Sequence, residues 1–317
     1  MTELPERLGV ELPVFQAGMG GGLSGHELAV AVSEAGGLGT IGFTAPDLLG
    51  RELAAARGRT DRSVAVNLLL PFARGGHWEV AKEADVTVTF WGAPQRHTER
   101  VWIHQCGSLE EAVAAHEAGA DAVIAQGVEA GGHVRGTTPA LELLRRVRSA
   151  MPDGYPVLLA GGMADAGDVA LALEAGAAAS VLGTRFLLTK ESAAHPGYKQ
   201  RVLDARETVL TELFGVGWPG QHRVVPNAAT GRWLRKDDRG PGWVRALNRL
   251  TAPVASRVRT DLTKWQRPEL PFFSPIGVLE GAPERLLDAT PLYAGESALR
   301  IRELRPAGEL VRELAGA

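Results

Sequence analysis

Eight short apolar runs punctuate the first two-thirds of the chain, and each is followed by a turn and then by a stretch with helical spacing. The runs are Val14–Ala17, Leu38–Gly42, Val64–Leu69, Val86–Phe90, Val101–His104, Ala122–Ala125, Pro156–Ala160 and Ser180–Gly183. They are nearly continuous, not alternating, which is the pattern of parallel strands buried on both faces. The intervening helices carry their own signals. Ser108-Leu109-Glu110-Glu111 reads as a capping box, in which the serine hydroxyl accepts an early helix N–H and Glu111 reaches back. Three helices exit through the same tripeptide, Glu34-Ala35-Gly36, Glu117-Ala118-Gly119 and Glu174-Ala175-Gly176, where glycine tolerates the positive φ of a helix end. Strand–helix alternation with short joints implies a parallel sheet. Eight such units close into an α/β (β/α)8 TIM barrel; an open doubly wound sheet is the alternative.

The rhythm fails after about Asp204. Residues 214–296 are rich in Gly, Pro and Trp, with only short helical patterns such as Trp243–Leu250. The expected organisation is a barrel over residues 1–210, a cap or substrate side domain over 211–296, and a C-terminal helix over 297–317. That helix is read from the amphipathic run Ala298–Leu314, which returns to pack on the barrel. A length of 317 residues suits a barrel with an addition, and 45% hydrophobic residues suffice for a large core. The net charge is only −3, and the arginines of the last third are mixed with acids. No basic stripe results, so nucleic acid is not an implied partner. A single cysteine, Cys106, rules out an intrachain disulfide and suits a reducing compartment. The N-terminus lacks the basic-then-apolar form of a signal peptide, and no apolar run approaches the ~18 residues of a membrane span. A cytoplasmic location with no membrane partner is the expectation.

In a barrel, ligands gather at the C-terminal ends of the strands. After the first strand comes Gly18-Met19-Gly20-Gly21-Gly22-Leu23-Ser24-Gly25, which contains G-x-G-x-x-G at Gly20, Gly22 and Gly25. A dinucleotide loop would also need an acid at the end of the next strand to hold a ribose. Gly42-Phe43-Thr44-Ala45 offers none, so the loop reads as backbone approaching a flat ring. After the sixth strand comes Gln126-Gly127-Val128-Glu129-Ala130-Gly131-Gly132-His133. Its glycines let the main chain crowd a ligand, and Gln126 offers both donor and acceptor. His133, on a loop at the catalytic rim, can move a proton near neutral pH. For His26, His77, His97 and His222 a solvent-exposed loop histidine is the ordinary reading. Gly161-Gly162 and Gly183-Thr184 follow the last two strands, where this fold commonly holds phosphate. Exposed N–H groups and a helix N-terminus stabilise such an anion without lysine, and the Thr184 hydroxyl adds a hydrogen bond. Asp165 and Asp168 read as helix caps. There is no H-E-x-x-H, no cysteine partner for Cys106 and no G-x-S-x-G, which disfavours metal and serine-hydrolase chemistry.

These residues resemble the nitronate monooxygenase family, formerly called 2-nitropropane dioxygenases, over residues 8–210 and again at Tyr293-Ala294-Gly295-Glu296-Ser297. Gln126–His133 matches the family's Q-G-x-E-A-G-G-H at every fixed position. Val66-Asn67-Leu68, Ala160–Met163, Leu182–Phe186 and Ala194–Lys199 resemble further family segments. The resemblance implies non-covalent FMN. Asn67 and Gln126 would lie at the isoalloxazine edge, with Gly131, Gly162 and the run Val181-Leu182-Gly183-Thr184 along the ribityl chain and phosphate. Met19, Gly20, Gly132 and Gly161 complete the implied cofactor set, and His133 is the implied base or substrate orienter. The implied reaction is oxidation of an alkyl nitronate or related nitro compound by O2 to a carbonyl product and nitrite, with no nicotinamide. Three features depart from the pattern or have no match. Gly18 stands where the family usually has proline. Arg135, just past His133, is free to meet an anion. The cap tryptophans Trp218, Trp233, Trp243 and Trp265 have no counterpart. An FMN-dependent NAD(P)H reductase of the same fold, such as an enoyl or quinone reductase, is the first alternative. Others are a repurposed member acting on a specialised metabolite and a phosphate-binding barrel without catalysis.

Overall fold

The computed structural model describes residues 4–218, 220–255 and 265–317. All eight apolar runs form parallel strands: β1 Val14–Gln16, β2 Gly39–Ile41, β3 Val64–Leu69, β4 Val86–Phe90, β5 Val101–Cys106, β6 Ala122–Gln126, β7 Val157–Ala160 and β8 Ser180–Leu182. They are ordered β1-β8-β7-β6-β5-β4-β3-β2, and a parallel bridge from Phe15 to Leu38 joins the two ends of the sheet. The sheet is therefore a barrel and not an open doubly wound sheet. Alternate residues divide between two apolar layers, as the period of a strand requires. Phe15, Ile103, Ile124 and Val181 fill the interior. Val14, Trp102, Val123 and Leu182 face the helices.

The three Glu-Ala-Gly exits carry φ of 92° at Gly36, 86° at Gly119 and 95° at Gly176. The Ser108 hydroxyl accepts the Glu111 N–H at 3.3 Å, as a capping residue should. The Glu111 carboxylate, however, accepts the Gly107 N–H at 2.8 Å, one residue before the expected partner. Asp165 and Asp168 do form a reciprocal cap on the helix Ala166–Glu174.

A second, antiparallel sheet lies beyond the barrel. Its central strand, His222–Val225, pairs with Val209–Thr211 and with Leu292–Tyr293. It also pairs with Gly132–His133, so the end of the glycine–histidine segment is a short strand of this sheet and not a free loop. The helix Gly242–Ala255 covers the Trp243–Leu250 pattern.

The last helix begins later than its amphipathic pattern suggested, at Ala307, and ends at Ala315. Pro306 holds its N-cap position, and a residue preceding proline is driven out of the helical region. Leu310, Val311 and Leu314 of this helix are buried in the outer core, against the helices His26–Glu34 and Ala166–Glu174. It thus occupies the place of an eighth barrel helix, because the helix directly after β8, Thr184–Leu187, is a single turn. No helix among the described residues is long and apolar enough to cross a membrane.

Candidate active site

The end of β6 sets the geometry. Gln126 is buried; its Nε2 donates to the His133 carbonyl at 3.0 Å, and its Oε1 accepts the Arg135 N–H at 3.5 Å. The side chain thereby pins the returning limb of its own loop. Gly131 lies flat on the C-terminal segment, where a Cβ would come within 2.3 Å of the Gly295 nitrogen. Arg223, buried on the strand His222–Val225 of the second sheet, donates to the Val128 carbonyl at 2.8 Å and meets Glu296 at 3.1 Å. One guanidinium therefore ties the loop, the cap sheet and the C-terminal segment together.

The His133 ring stands in an aromatic box. Trp218 meets it edge-on with centroids 4.6 Å apart, Tyr293 lies at 5.3 Å and Trp91 at 6.2 Å. The Nε2 of His133 is shut off from water and has no hydrogen-bond partner. Burial, with His222 close by, pushes its pKa down to about 3, so the ring is neutral at pH 7. His222 corrects the sequence reading: it is fully buried on the cap strand, in register with His133. Its Nε2 accepts the Phe214 N–H at 3.2 Å and its Nδ1 faces the Gly220 carbonyl at 3.2 Å, which fixes a neutral Nδ1–H tautomer. Burial lowers its pKa to about 4. His77 is likewise buried, accepting the Arg74 N–H at 3.1 Å at a helix start. His26 pairs with Glu52 at 2.7 Å, and His97 stacks on Trp78 at 4.0 Å.

Trp91 follows β4 with a φ of 66°, the one non-glycine residue in the left-handed region among the described residues. Such a backbone costs about 1–3 kcal/mol and persists only where neighbours enforce it. Trp218 packs on Trp91 at 4.8 Å, and the Arg135 guanidinium lies 5.2 Å from its ring. Arg135 is ion-paired with Glu111. It is therefore not free to meet an anion, because the loop delivers it to the helix capped by Ser108.

The other end of the site is main chain. Gly161 and Gly162, after β7, have φ of 113° and 77°, backbone that glycine adopts without the steric cost of a Cβ. Among the described residues no acceptor takes the N–H of Gly162, Met163, Gly183 or Thr184. β7 and β8 are neighbours, pairing Ala160 with Val181, so these four amides share one rim. The Thr184 hydroxyl accepts the Gly295 N–H at 2.9 Å, which leaves its own proton to donate. Val181 points into the barrel. Leu182 points outward and its carbonyl accepts the Ala17 N–H, so it offers the site no side chain. Asn67, buried on β3, makes a long 3.4 Å contact to the Val88 carbonyl and can turn toward a ligand. A Cβ on Gly18 would lie 2.3 Å from that of Asn67. The departure at position 18 therefore lets the Met19-Gly20 loop close against β3.

Sequence reading missed Trp91, His222 and Arg223. Trp91 carried one usable signal, its place at the C-terminal end of a barrel strand. His222 and Arg223 carried none, because their roles come from pairing with residues about 90 positions away.

The nitronate monooxygenase family pattern matches residues 2–95 and 92–316. The chain belongs to the nitronate monooxygenase family. It is an oxidoreductase of this generally flavin-dependent group. Over 261 residues it is 34% identical to the (3aS,4S,5R,7aS)-5-hydroxy-7a-methyl-1-oxo-octahydro-1H-indene-4-carboxyl-CoA dehydrogenase of Mycobacterium tuberculosis, covering 78% of this chain and 72% of that one. Among solved structures, FabK from Thermotoga maritima superposes with a TM-score of 0.77 at 29% identity, over 99% of this chain and 94% of that chain. Nitroalkane oxidase from Streptomyces ansochromogenes gives 0.76 at 29% identity, over 98% and 97%.

Proposed function

We propose that this nitronate monooxygenase family member oxidises an alkyl nitronate, or the nitro compound it comes from, with O2 to a carbonyl product and nitrite. The cofactor is non-covalent FMN. The observation that carries the reading is the unpartnered Nε2 of His133, enclosed by aromatic rings, on the same barrel rim as four unpaired amides. The amides of Gly162, Met163, Gly183 and Thr184, with the Thr184 hydroxyl, suit a phosphate monoester. Gly161 and the Val181–Leu182 main chain frame that end, and Met19, Gly20, Gly131 and Gly132 offer backbone to the rest of the cofactor. Asn67 and the second amide proton of Gln126 suit the polar edge of the flavin ring. When bound, FMN supplies the electron acceptor and the reaction with O2.

His133 supplies the proton chemistry. Its Nε2 lone pair takes the α-proton of a neutral nitro compound. A ring with a pKa of about 3 is by itself a weak base. The forming nitronate is an anion, and an adjacent anion favours the imidazolium. A preformed nitronate needs no such transfer and uses the box only to be held and kept from water.

A second reading, a family member acting on a specialised metabolite or drawing hydride from NAD(P)H, is favoured by the 34% identity to the mycobacterial dehydrogenase. One experiment separates the two. The purified protein should be yellow, and heating should release FMN. Anaerobic mixing with propyl-2-nitronate should bleach it, while NADH and NADPH should not. Bleaching by a nicotinamide alone would overturn the nitronate reading, and release of FAD would overturn the choice of cofactor.

A further inference from the structure

We propose that Trp218 is a substrate-binding residue, whose indole N–H donates to a nitro or nitronate oxygen while His133 Nε2 handles the proton on carbon. The inference rests on the nitronate reading and extends it to a residue outside the glycine–histidine segment. Trp218 is 2% exposed, and its Nε1 has no hydrogen-bond partner. A buried indole N–H almost always finds an acceptor. The other occluded polar atom without a partner in the box is His133 Nε2, on a ring whose centroid is 4.6 Å away at an interplanar angle of 68°. Two of their neighbours are satisfied. The Tyr293 hydroxyl donates to the Pro275 carbonyl at 2.8 Å, and both nitrogens of His222 are engaged.

The indole is also held in place. Phe72 stacks on it at 5.2 Å, Trp91 packs on it tilted by 50° at 4.8 Å, and a Cβ on Gly220 would lie 2.7 Å from Nε1. A nitro group has two acceptor oxygens and no donor, whereas an indole N–H is a donor only. As the α-proton leaves, negative charge builds on those oxygens. A fixed donor occluded from bulk water stabilises charge at the position where it develops. The two free nitrogens then serve two parts of one planar group, Nε2 at the carbon and Nε1 at an oxygen.

The test is Trp218→Phe, which keeps an aromatic ring and removes the N–H. We expect kcat/KM to fall about 10–100-fold for both neutral 2-nitropropane and its nitronate, the range for a hydrogen bond to a charged group. Flavin content should be unchanged. Trp243→Phe, the same exchange at an exposed indole on the helix Gly242–Ala255, should leave both values as in the wild type. If the wild type oxidises nitronate and Trp218→Phe equals it, the Trp218 assignment is wrong and the nitronate reading stands. If the wild type does not oxidise nitronate, the reading itself fails. Should Trp218→Phe not fold, the wild-type enzyme decides by the indole N–H resonances. One of them must move on titration with isobutyrate, an unreactive planar oxyanion; if none moves, the proposal is overturned.

Discussion

The two ends of the site are built from different material. Over β7 and β8 the ligand-facing groups are main-chain amides, at Gly162, Met163, Gly183 and Thr184. Around His133 they are side chains, brought from β4, the end of β6, the cap and the C-terminal segment. The amide end is made of local turns on adjacent strands, so a few consecutive residues determine it. The histidine end exists only after the cap strand His222–Val225 has paired with Gly132–His133. Beside the amide end the Arg300 guanidinium donates to the Gly162 carbonyl and pairs with Asp165 and Asp168. The histidine end holds a neutral His133 against a neutral His222, with a strained Trp91 beside them. The proposed anion handle and the proposed site of chemistry therefore differ in how far along the chain their parts must travel to meet.

The largest effect that tests this division should come from His133→Asn. FMN should be retained, since the amide end does not involve the imidazole. Turnover of a neutral nitroalkane should fall by about 10²–10⁴-fold, the usual contribution of a general base. The preformed nitronate should lose much less. Steady-state rates with both forms, beside flavin absorbance, measure this. Equal losses for the two forms would make His133 an orienting group. Loss of flavin would show that the two ends are not separate.

Acid should come next, and it should act at the histidine end. In the unfolded chain histidines titrate near pH 6.5. In the fold His133 is held near 3 and His222 near 4, and His104, buried on β5 beside Thr89 and Trp102 and outside the box, is also held near 4, chiefly by burial. Between those values the unfolded chain binds more protons, so stability rises with pH across the window. The contribution is complete above about pH 6.5 and is lost as pH falls toward 4. For the buried His104 and His222 it amounts to on the order of 3 kcal/mol each. Melting temperature should be level above pH 7 and fall steadily below 6.5. A level profile down to pH 4 would mean that these rings are solvated and the box is open.

What could be read in advance follows the same division. The eight strands, the exits at Gly36, Gly119 and Gly176 and the Asp165 cap are local patterns, and the fold contains each of them. Gly161-Gly162 and Gly183-Thr184 were legible because glycine after a buried strand says what the backbone does there. Arg135 was misread because its sequence neighbours do not show that it lands on Glu111 and Trp91. His222 and His77 were misread for a related reason: a histidine in a polar stretch looks exposed until its long-range partners are known. Trp91 was legible in position but not in conformation. Its positive φ reflects a box completed by Trp218, far along the chain.

The smallest effect should come from Thr184, which belongs to both ends. Its hydroxyl accepts the Gly295 N–H, on the segment that also carries Tyr293 and Glu296, and its own proton is left to donate. Thr184→Ala removes both bonds; Thr184→Ser keeps them. If the hydroxyl donates to phosphate, the alanine variant should hold FMN more weakly by about 1.5–3 kcal/mol, the value of a hydrogen bond to a charged group. Once saturated with FMN, its turnover should be close to normal, because His133 is fixed by Gln126 and the cap strand. If the hydroxyl serves only Gly295, the variant should lose about 1 kcal/mol of stability, as for a neutral hydrogen bond, with flavin affinity unchanged. Flavin titration and thermal melts on the same preparation separate the two outcomes. Unchanged affinity in Thr184→Ala would confine the anion handle to the amides alone. That would make the contrast sharper, with one end wholly backbone and the other wholly side chain.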